Sequence, residues 1–231
     1  MLHFYKKFND LHDIINFKTV KQTFGKKFFS YDEKYFSNYK NLENTKTCSL
    51  INKARVELVR KYKYNHVLDF GIGSGTFVKT FADKIFGFDI NPIGVNWLKE
   101  NQLYLNPFLE NHDHINSWTL WDVFEHFENP IKFLQILKKE DFLFMSIPIF
   151  VSFTNLERSK HYKPNEHLFY FTHQGLIELL GKYNLMLIEY NNIETQIGRE
   201  NINTYVFKKI LNIREYPSHF QLHIKTIQIV I

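Results

Sequence analysis

Val67-Leu68-Asp69-Phe70-Gly71-Ile72-Gly73-Ser74-Gly75-Thr76-Phe77 decides how this 231-residue chain folds. An apolar run breaks into three glycines at alternate positions, as a buried strand must if its backbone is to turn sharply and leave N–H groups open to a ligand. Thr76, Phe77, Val78, Phe81 and Ala82 suit a helix after that turn. Ile85 to Ile90 reads as a second short buried strand, and Asp89 at its end lies 18 positions after Gly71. That is close to the roughly 20-residue offset at which an acidic side chain meets a ribose hydroxyl. Strand, glycine turn, helix, strand and acid together form a nucleoside-binding half of a doubly wound sheet.

Length and composition narrow the classes. A chain of 231 residues suits one well-buried α/β core with a small extension. No run of 18 or more apolar residues occurs, so no membrane span is expected, and no apolar segment follows the lysines of Met1 to Phe8 to make a signal peptide. Cys48 is the only cysteine, which excludes an intrachain disulfide and a multi-cysteine zinc site. A cytoplasmic location fits. The net charge of +5 is uneven: residues 1–66 hold 14 Lys or Arg against 6 Asp or Glu, and the remainder hold 15 against 18. A basic front segment can meet anionic substrates or nucleic acid, or simply form a solvated face. Phe24 to Lys40 interleaves aromatic and lysine side chains as single-strand nucleic acid surfaces do.

Glycine spacing selects the nucleoside. A dinucleotide fingerprint, G-x-G-x-x-G, would need glycine at position 76, where the chain has Thr76. An NAD-linked oxidoreductase is therefore disfavoured. Asp69 followed by G-x-G-x-G, with Val67-Leu68 before and Asp89 after, resembles the first two motifs of class I S-adenosylmethionine-dependent methyltransferases. The resemblance runs, with gaps, from about Lys53 to Lys208. It implies a seven-stranded, mostly parallel Rossmann-like α/β sheet with one antiparallel strand and helices on both faces. It also implies S-adenosylmethionine as cofactor, with Gly71, Gly73 and Gly75 around its methionine portion, Asp69 orienting the turn, Asp89 on the ribose and Ile90 against the adenine.

Further along, Ser49 to Tyr62 carries apolar residues at helical spacing, and Asn91-Pro92 opens another helix. The third strand is poorly marked within Leu103 to Leu109. Ile115 to Trp121 reads as the fourth strand and runs into Asp122-Val123-Phe124-Glu125-His126. Many small-molecule methyltransferases, ubiquinone-pathway O-methyltransferases among them, are similar here, and the likeness places Leu120 and Trp121 beside the methionine portion. Amino-directed DNA and RNA enzymes instead carry an Asn/Asp-Pro-Pro-aromatic motif at this point. If Asp122, Glu125 and His126 share a helix face, three readings compete. Asp122 and Glu125 form a capping box, His126 is a general base, or all three hold a divalent metal. No metal is assigned.

Asn129-Pro130 opens a helix, and Phe142 to Phe150 is a fully apolar fifth strand with Pro148 near its exit. Thr154 to Thr172 is read as a loop at the carboxyl edge, with His161, Tyr162, Glu166 and His167 as substrate-contact candidates. A helix from about His173 and strands at Leu185 to Tyr190 and Asn203 to Lys208 follow. The tail from Phe220 to Ile231 alternates and needs a partner in the sheet, in a second copy of a homodimer or in further chain. The expected divisions are a cap over residues 1–47, a methyltransferase domain over 48–210 and a tail over 211–231.

The resulting expectation is methyl transfer to an O or N of a small or medium-sized acceptor, with His126, Glu125 and His167 as catalytic candidates. Nucleic acid methylation through the basic front segment and a non-catalytic, cofactor-binding partner protein are the alternatives.

Overall fold

A strand from His66 to Phe70 (β2) lies between two parallel neighbours, Ile85–Phe88 (β3) and Ile115–Trp121 (β4), with Val67 opposite Ile85 and Leu68 opposite Trp118. A computed structural model describes these strands within residues 20–22 and 43–211. Phe142–Phe150 (β5) continues the parallel sheet beyond β4, with Leu120 opposite Met145. Ile202–Lys209 (β8) runs antiparallel to β5 and also pairs with Leu185–Asn191 (β7). The spatial order is thus β3-β2-β4-β5-β8-β7, with β8 the one reversed strand. At the outer edge of β3 a single parallel bridge, Gly87 to Tyr104, occupies the seventh strand position. Its shortness explains why no clear strand pattern occurs between Leu103 and Leu109.

Two helix layers cover this sheet because side chains alternate along each strand. Val67, Phe144 and Val206 point to a cluster with Val56 and Val59 of helix α1 (Lys46–Arg60), Phe77 and Phe81 of α2 (Thr76–Phe81), and Leu98 of α3 (Pro92–Glu100). Leu68, Met145 and Phe207 point the other way, to Phe133 and Leu134 of α4 (Pro130–Ile136) and to Leu176 and Leu180 of α5 (His173–Gly181). The helices start where the sequence places their caps. Thr45, Asn91, Asn129 and Thr172 each accept a backbone N–H in the first turn, and Pro92 and Pro130 stand where a missing N–H costs little.

One departure from expectation has a simple cause. The presumed loop ending at Thr172 contains a strand, Phe169–Thr172 (β6), parallel to the end of β5 and flanked by Val20–Gln22 (β1) running antiparallel. Phe169, Tyr170 and Phe171 are all buried, so alternation could not reveal it. Pro148 lies near the exit of β5, as expected, in the last pair of the β5–β8 ladder, opposite Ile202. The Ile149 N–H points to Asn201 on the β8 side, so the Pro148 nitrogen faces the opposite side. There β4 has ended opposite Ser146 and β6 begins only opposite Ile149, so no ladder bond is lost.

The lysine-rich front segment and the alternating tail, at residues 1–19, 23–42 and 212–231, lie outside the described residues. Among the described residues no helix is long and apolar enough to cross a membrane.

Gly87 shows how tightly α3 lies on the sheet: a Cβ there would sit 2.6 Å from Leu98 Cδ2 and 2.8 Å from Ile72 Cγ2. Gly87→Ala should therefore destabilise the protein by about 1–3 kcal/mol through overpacking. Chemical denaturation checks this, and an unchanged midpoint would contradict the packing described.

Candidate active site

Backbone torsions at the turn after β2 require glycine. Gly71, Gly73 and Gly75 have φ of 79°, 53° and 77°. A Cβ on Gly71 would lie 2.6 Å from Val123 Cγ2, so the turn and the segment leaving β4 meet at van der Waals limits. The expectation that all three glycine amides stand open needs correction. Gly71 N–H donates to the Phe88 carbonyl at 2.7 Å and Gly75 N–H to the Ile72 carbonyl at 2.8 Å. These two glycines supply torsion and close approach, and their amides hold the turn together.

Asp89 follows β3 and faces that turn. Its Oδ1 accepts the Asn91 N–H at 2.7 Å. Burial raises its pKa, opposed by the backbone N–H groups of Asn91, Ile90, Ile72 and Gly73 that surround the carboxylate. Next to it Ile90 is 70% exposed, an apolar surface at the mouth of the crevice. Asp69 lies beneath, fully buried, with Thr119 Oγ1 donating to its Oδ1 at 2.7 Å. Desolvation lifts its pKa from 3.8 to about 7, against the Thr119 hydrogen bond and the Arg55 charge.

Where β4 ends the chain does not become an α-helix. Asp122 has φ 59°, and only a single 3-10 turn, Phe124–His126, follows, its start uncapped by any side chain. The capping box is therefore absent, and Asp122, Glu125 and His126 do not share one helix face. Asp122 instead belongs to a partly buried charge network. Its Oδ2 accepts Arg199 Nη1 at 2.7 Å and Arg55 Nη2 at 3.3 Å. Arg55 grips Glu194 with Nε at 2.7 Å and Nη2 at 2.9 Å, also donates to Ser146 Oγ at 2.9 Å, and lies 4.8 Å over the Trp121 ring. Arg199 Nη1 closes the ring on Glu194 Oε2 at 2.6 Å. Burial opposes the Asp122 charge, but Arg199 and Arg55 outweigh it and hold the carboxyl below its ordinary range. Glu194 belongs to a four-residue helix, α6 (Ile193–Gln196). Sequence reasoning missed Arg55, Glu194 and Arg199, since no local motif joins residues 139 positions apart.

Glu125 turns the other way. It is 1% exposed, and neither carboxylate oxygen has a hydrogen-bond partner among the described residues. Desolvation, with the nearby Asp122 charge, raises its pKa well above the usual range. Backbone pairing brings a second Glu-His pair against it: Leu168 N–H donates to the Glu125 carbonyl at 2.8 Å, and His126 Nδ1 meets the Glu166 carbonyl at 2.9 Å. The His126 and His167 rings pack edge to face with centroids 4.7 Å apart. Burial lowers both imidazole pKa values, that of His167 to about 3.

The remaining candidates separate. Trp121 is nearly buried against Phe77, its Nε1 without a partner among the described residues. Leu120 points into the opposite core layer and offers a ligand no side-chain surface, because adjacent strand residues face opposite ways. His161 Nε2 meets the Glu200 carbonyl at 2.6 Å, Tyr162 packs on Tyr170, and Glu166 pairs with Lys163. A hollow of about 610 Å³, lined by Ile149, Ser152, Thr172, His173, Asn192 and Asn203, opens beside the end of β5 and does not include the glycine turn. Positive φ at the turn, the carboxylate facing it and the exposed Ile90 make the turn the better seat for a nucleoside.

A model of the methyltransferase domain family matches residues 33–190, more than half of the chain, which therefore belongs to that family. The protein is a class I S-adenosylmethionine-dependent methyltransferase. No protein of curated function matches its sequence significantly. Among solved structures it is similar to a SAM-dependent methyltransferase, possible histamine N-methyltransferase, from Thermotoga maritima. Identity is 12% and the TM-score 0.57, over 77% of this chain and 97% of that one. It is also similar to the plantazolicin methyltransferase BpumL, in complex with a desmethyl plantazolicin analogue and S-adenosylhomocysteine. Here identity is 17% and the TM-score 0.50, over 76% of this chain and 90% of that one. The [4+2]-cyclase SpnF shares the fold at 10% identity and a TM-score of 0.50, over 91% of this chain and 95% of that one. At such identities the likeness speaks for the fold alone, and the family match carries the chemistry.

Two outcomes follow from the charges. Glu194→Ala leaves Arg55 and Arg199 sharing the single, partly exposed Asp122 carboxylate and should cost about 1.5–3 kcal/mol. The Arg55→Met/Glu194→Leu double variant should lose less, and additive losses in denaturation would contradict direct coupling. For Asp69 the folded-state pKa of about 7 lies above the ordinary 3.8, so the folded protein retains a proton that the unfolded chain releases. Stability contributed by that proton is full below the lower value and is lost as pH rises through the higher. Asp69→Asn should therefore gain in melting temperature over the native protein between about pH 5 and about pH 8. A constant difference across that interval would contradict the buried, proton-holding carboxyl.

Proposed function

We propose that the enzyme transfers its methyl group to an O or N of a small or medium-sized molecule that reaches the Glu125, His126 and His167 cluster across the glycine turn. When bound, S-adenosylmethionine supplies a methyl already activated on sulfonium. The Gly71–Gly75 turn and the Trp121 edge hold the methionine portion, Asp89 takes the ribose hydroxyls, and Ile90 covers an adenine face. The protein's main task is then orientation, which can supply about 7–11 kcal/mol when the nucleophile is held in line. Glu125, His126 and His167 handle the acceptor side.

One observation carries the preference for a small acceptor: this cluster is enclosed, with Glu125 at 1% and His167 at 5% exposure, and Val123 of the same segment presses on Gly71. A reacting group must enter a narrow space. Trp121-Asp122-Val123-Phe124-Glu125-His126 also lacks the Asn/Asp-Pro-Pro-aromatic pattern of amino-directed nucleic acid enzymes.

With methyl-labelled S-adenosylmethionine, label should enter the small-molecule fraction of a cell extract, detected by mass spectrometry. Label confined to RNA or DNA would overturn the acceptor class. In calorimetry with S-adenosylhomocysteine, Asp89→Ala should weaken binding roughly 10- to 100-fold, the equivalent of one charge-assisted hydrogen bond. Unchanged affinity in a folded variant would remove Asp89 from the ribose.

A further inference from the structure

Glu125, His126 and His167 each present one donor atom, and these atoms all lie within 4.8 Å of one another. We propose that they form a binding site for a divalent transition metal ion, with two imidazole nitrogens and one carboxylate oxygen as ligands.

Glu125 supplies the first argument. A carboxylate 1% exposed with both oxygens unpartnered among the described residues is costly to bury, and it is aimed at two imidazoles. A cation at their centre gives it the missing partner. His126 supplies the second. Its Nδ1 lies 2.9 Å from the Glu166 carbonyl, which can only accept, so Nδ1 carries the proton and Nε2 keeps its lone pair. Metal-bound histidines are oriented in this way, with the other ring nitrogen donating to a backbone carbonyl. Ligand distances of about 2.0–2.2 Å place donor atoms roughly 3–3.6 Å apart, so the donor atoms must draw together when the ion binds.

Donor chemistry decides the class of ion. Two nitrogens and one oxygen suit Zn2+, Co2+ or Fe2+ and not the all-oxygen shells of Mg2+ or Ca2+. Asp122 is not part of this cluster, and its Oδ2 is held by Arg55 and Arg199. The set thus differs from the two-carboxylate arrangement considered from sequence, and His167 enters through the chain pairing of Leu168 with Glu125. His126 is only partly buried, which leaves one side of the ion open to water or to an acceptor oxygen. The proposal does not depend on the acceptor class.

The full chain, stripped with a chelator, should take up one equivalent of Co2+ with visible d–d absorption, and Zn2+ should compete for it. His167→Ala and Glu125→Gln should weaken Co2+ binding by more than the roughly 10- to 100-fold expected for loss of an outer-shell partner. His161→Ala, outside the cluster, should leave it unchanged. Absence of one-to-one binding, or equal loss in His161→Ala, overturns the site. Should the cluster variants not fold, X-ray absorption on the Co2+-loaded native protein decides. Two imidazoles with a carboxylate support the site, and an all-oxygen or all-imidazole shell overturns it.

Discussion

Gly71 and Val123 touch because position 71 has no Cβ, and the two ends of the active site depend on that contact. With a side chain there, the nearest atoms would be 2.6 Å apart and the segment leaving β4 would be pushed off the turn leaving β2. Both segments exit neighbouring parallel strands at their carboxyl ends, where an open α/β sheet leaves a crevice. One meets the Asp89 carboxylate and the other leads directly into Glu125 and His126. In the proposed reading, this single steric constraint sets the spacing between methyl donor and acceptor.

Charge divides the segment after β4 into two roles. Asp122, in the left-handed region, is directed to Arg55 and Arg199 and shares them with Glu194, so two acidic and two basic side chains pair in a partly buried place. Such a network adds little stability over apolar packing, but removing one member exposes the rest, and it ties α1, the end of β4 and α6 into one unit. Glu125, three residues later, has no such partner among the described residues. Within four residues the chain thus holds one carboxylate gripped by two arginines and one with no hydrogen-bond partner among the described residues.

Much of this was legible in the sequence because it is local. The β2 turn, the strand Ile115–Trp121, the strand Phe142–Phe150 and the Asn-Pro helix starts follow from apolar runs, glycine torsions and caps, each a property of adjacent residues. Asp89 facing the turn was expected from spacing alone. The Asp122-x-x-Glu125-His126 spacing misled because it presumes an α-helix, whereas positive φ at Asp122 breaks the register before the first turn. Arg55 was not singled out, since its partners lie far along the chain. His167 was singled out from its own loop, but its meeting with His126 depends on the short β6, hidden by burial on both faces.

Amide chemical shifts during titration with S-adenosylhomocysteine test the central claim most directly. The account predicts that the largest changes fall on Gly71 to Gly75 and on Asp89 to Asn91. Changes confined to the hollow beside β5, around Ile149 to Ser152 and Thr172 to Gln174, would place the cofactor elsewhere and contradict it.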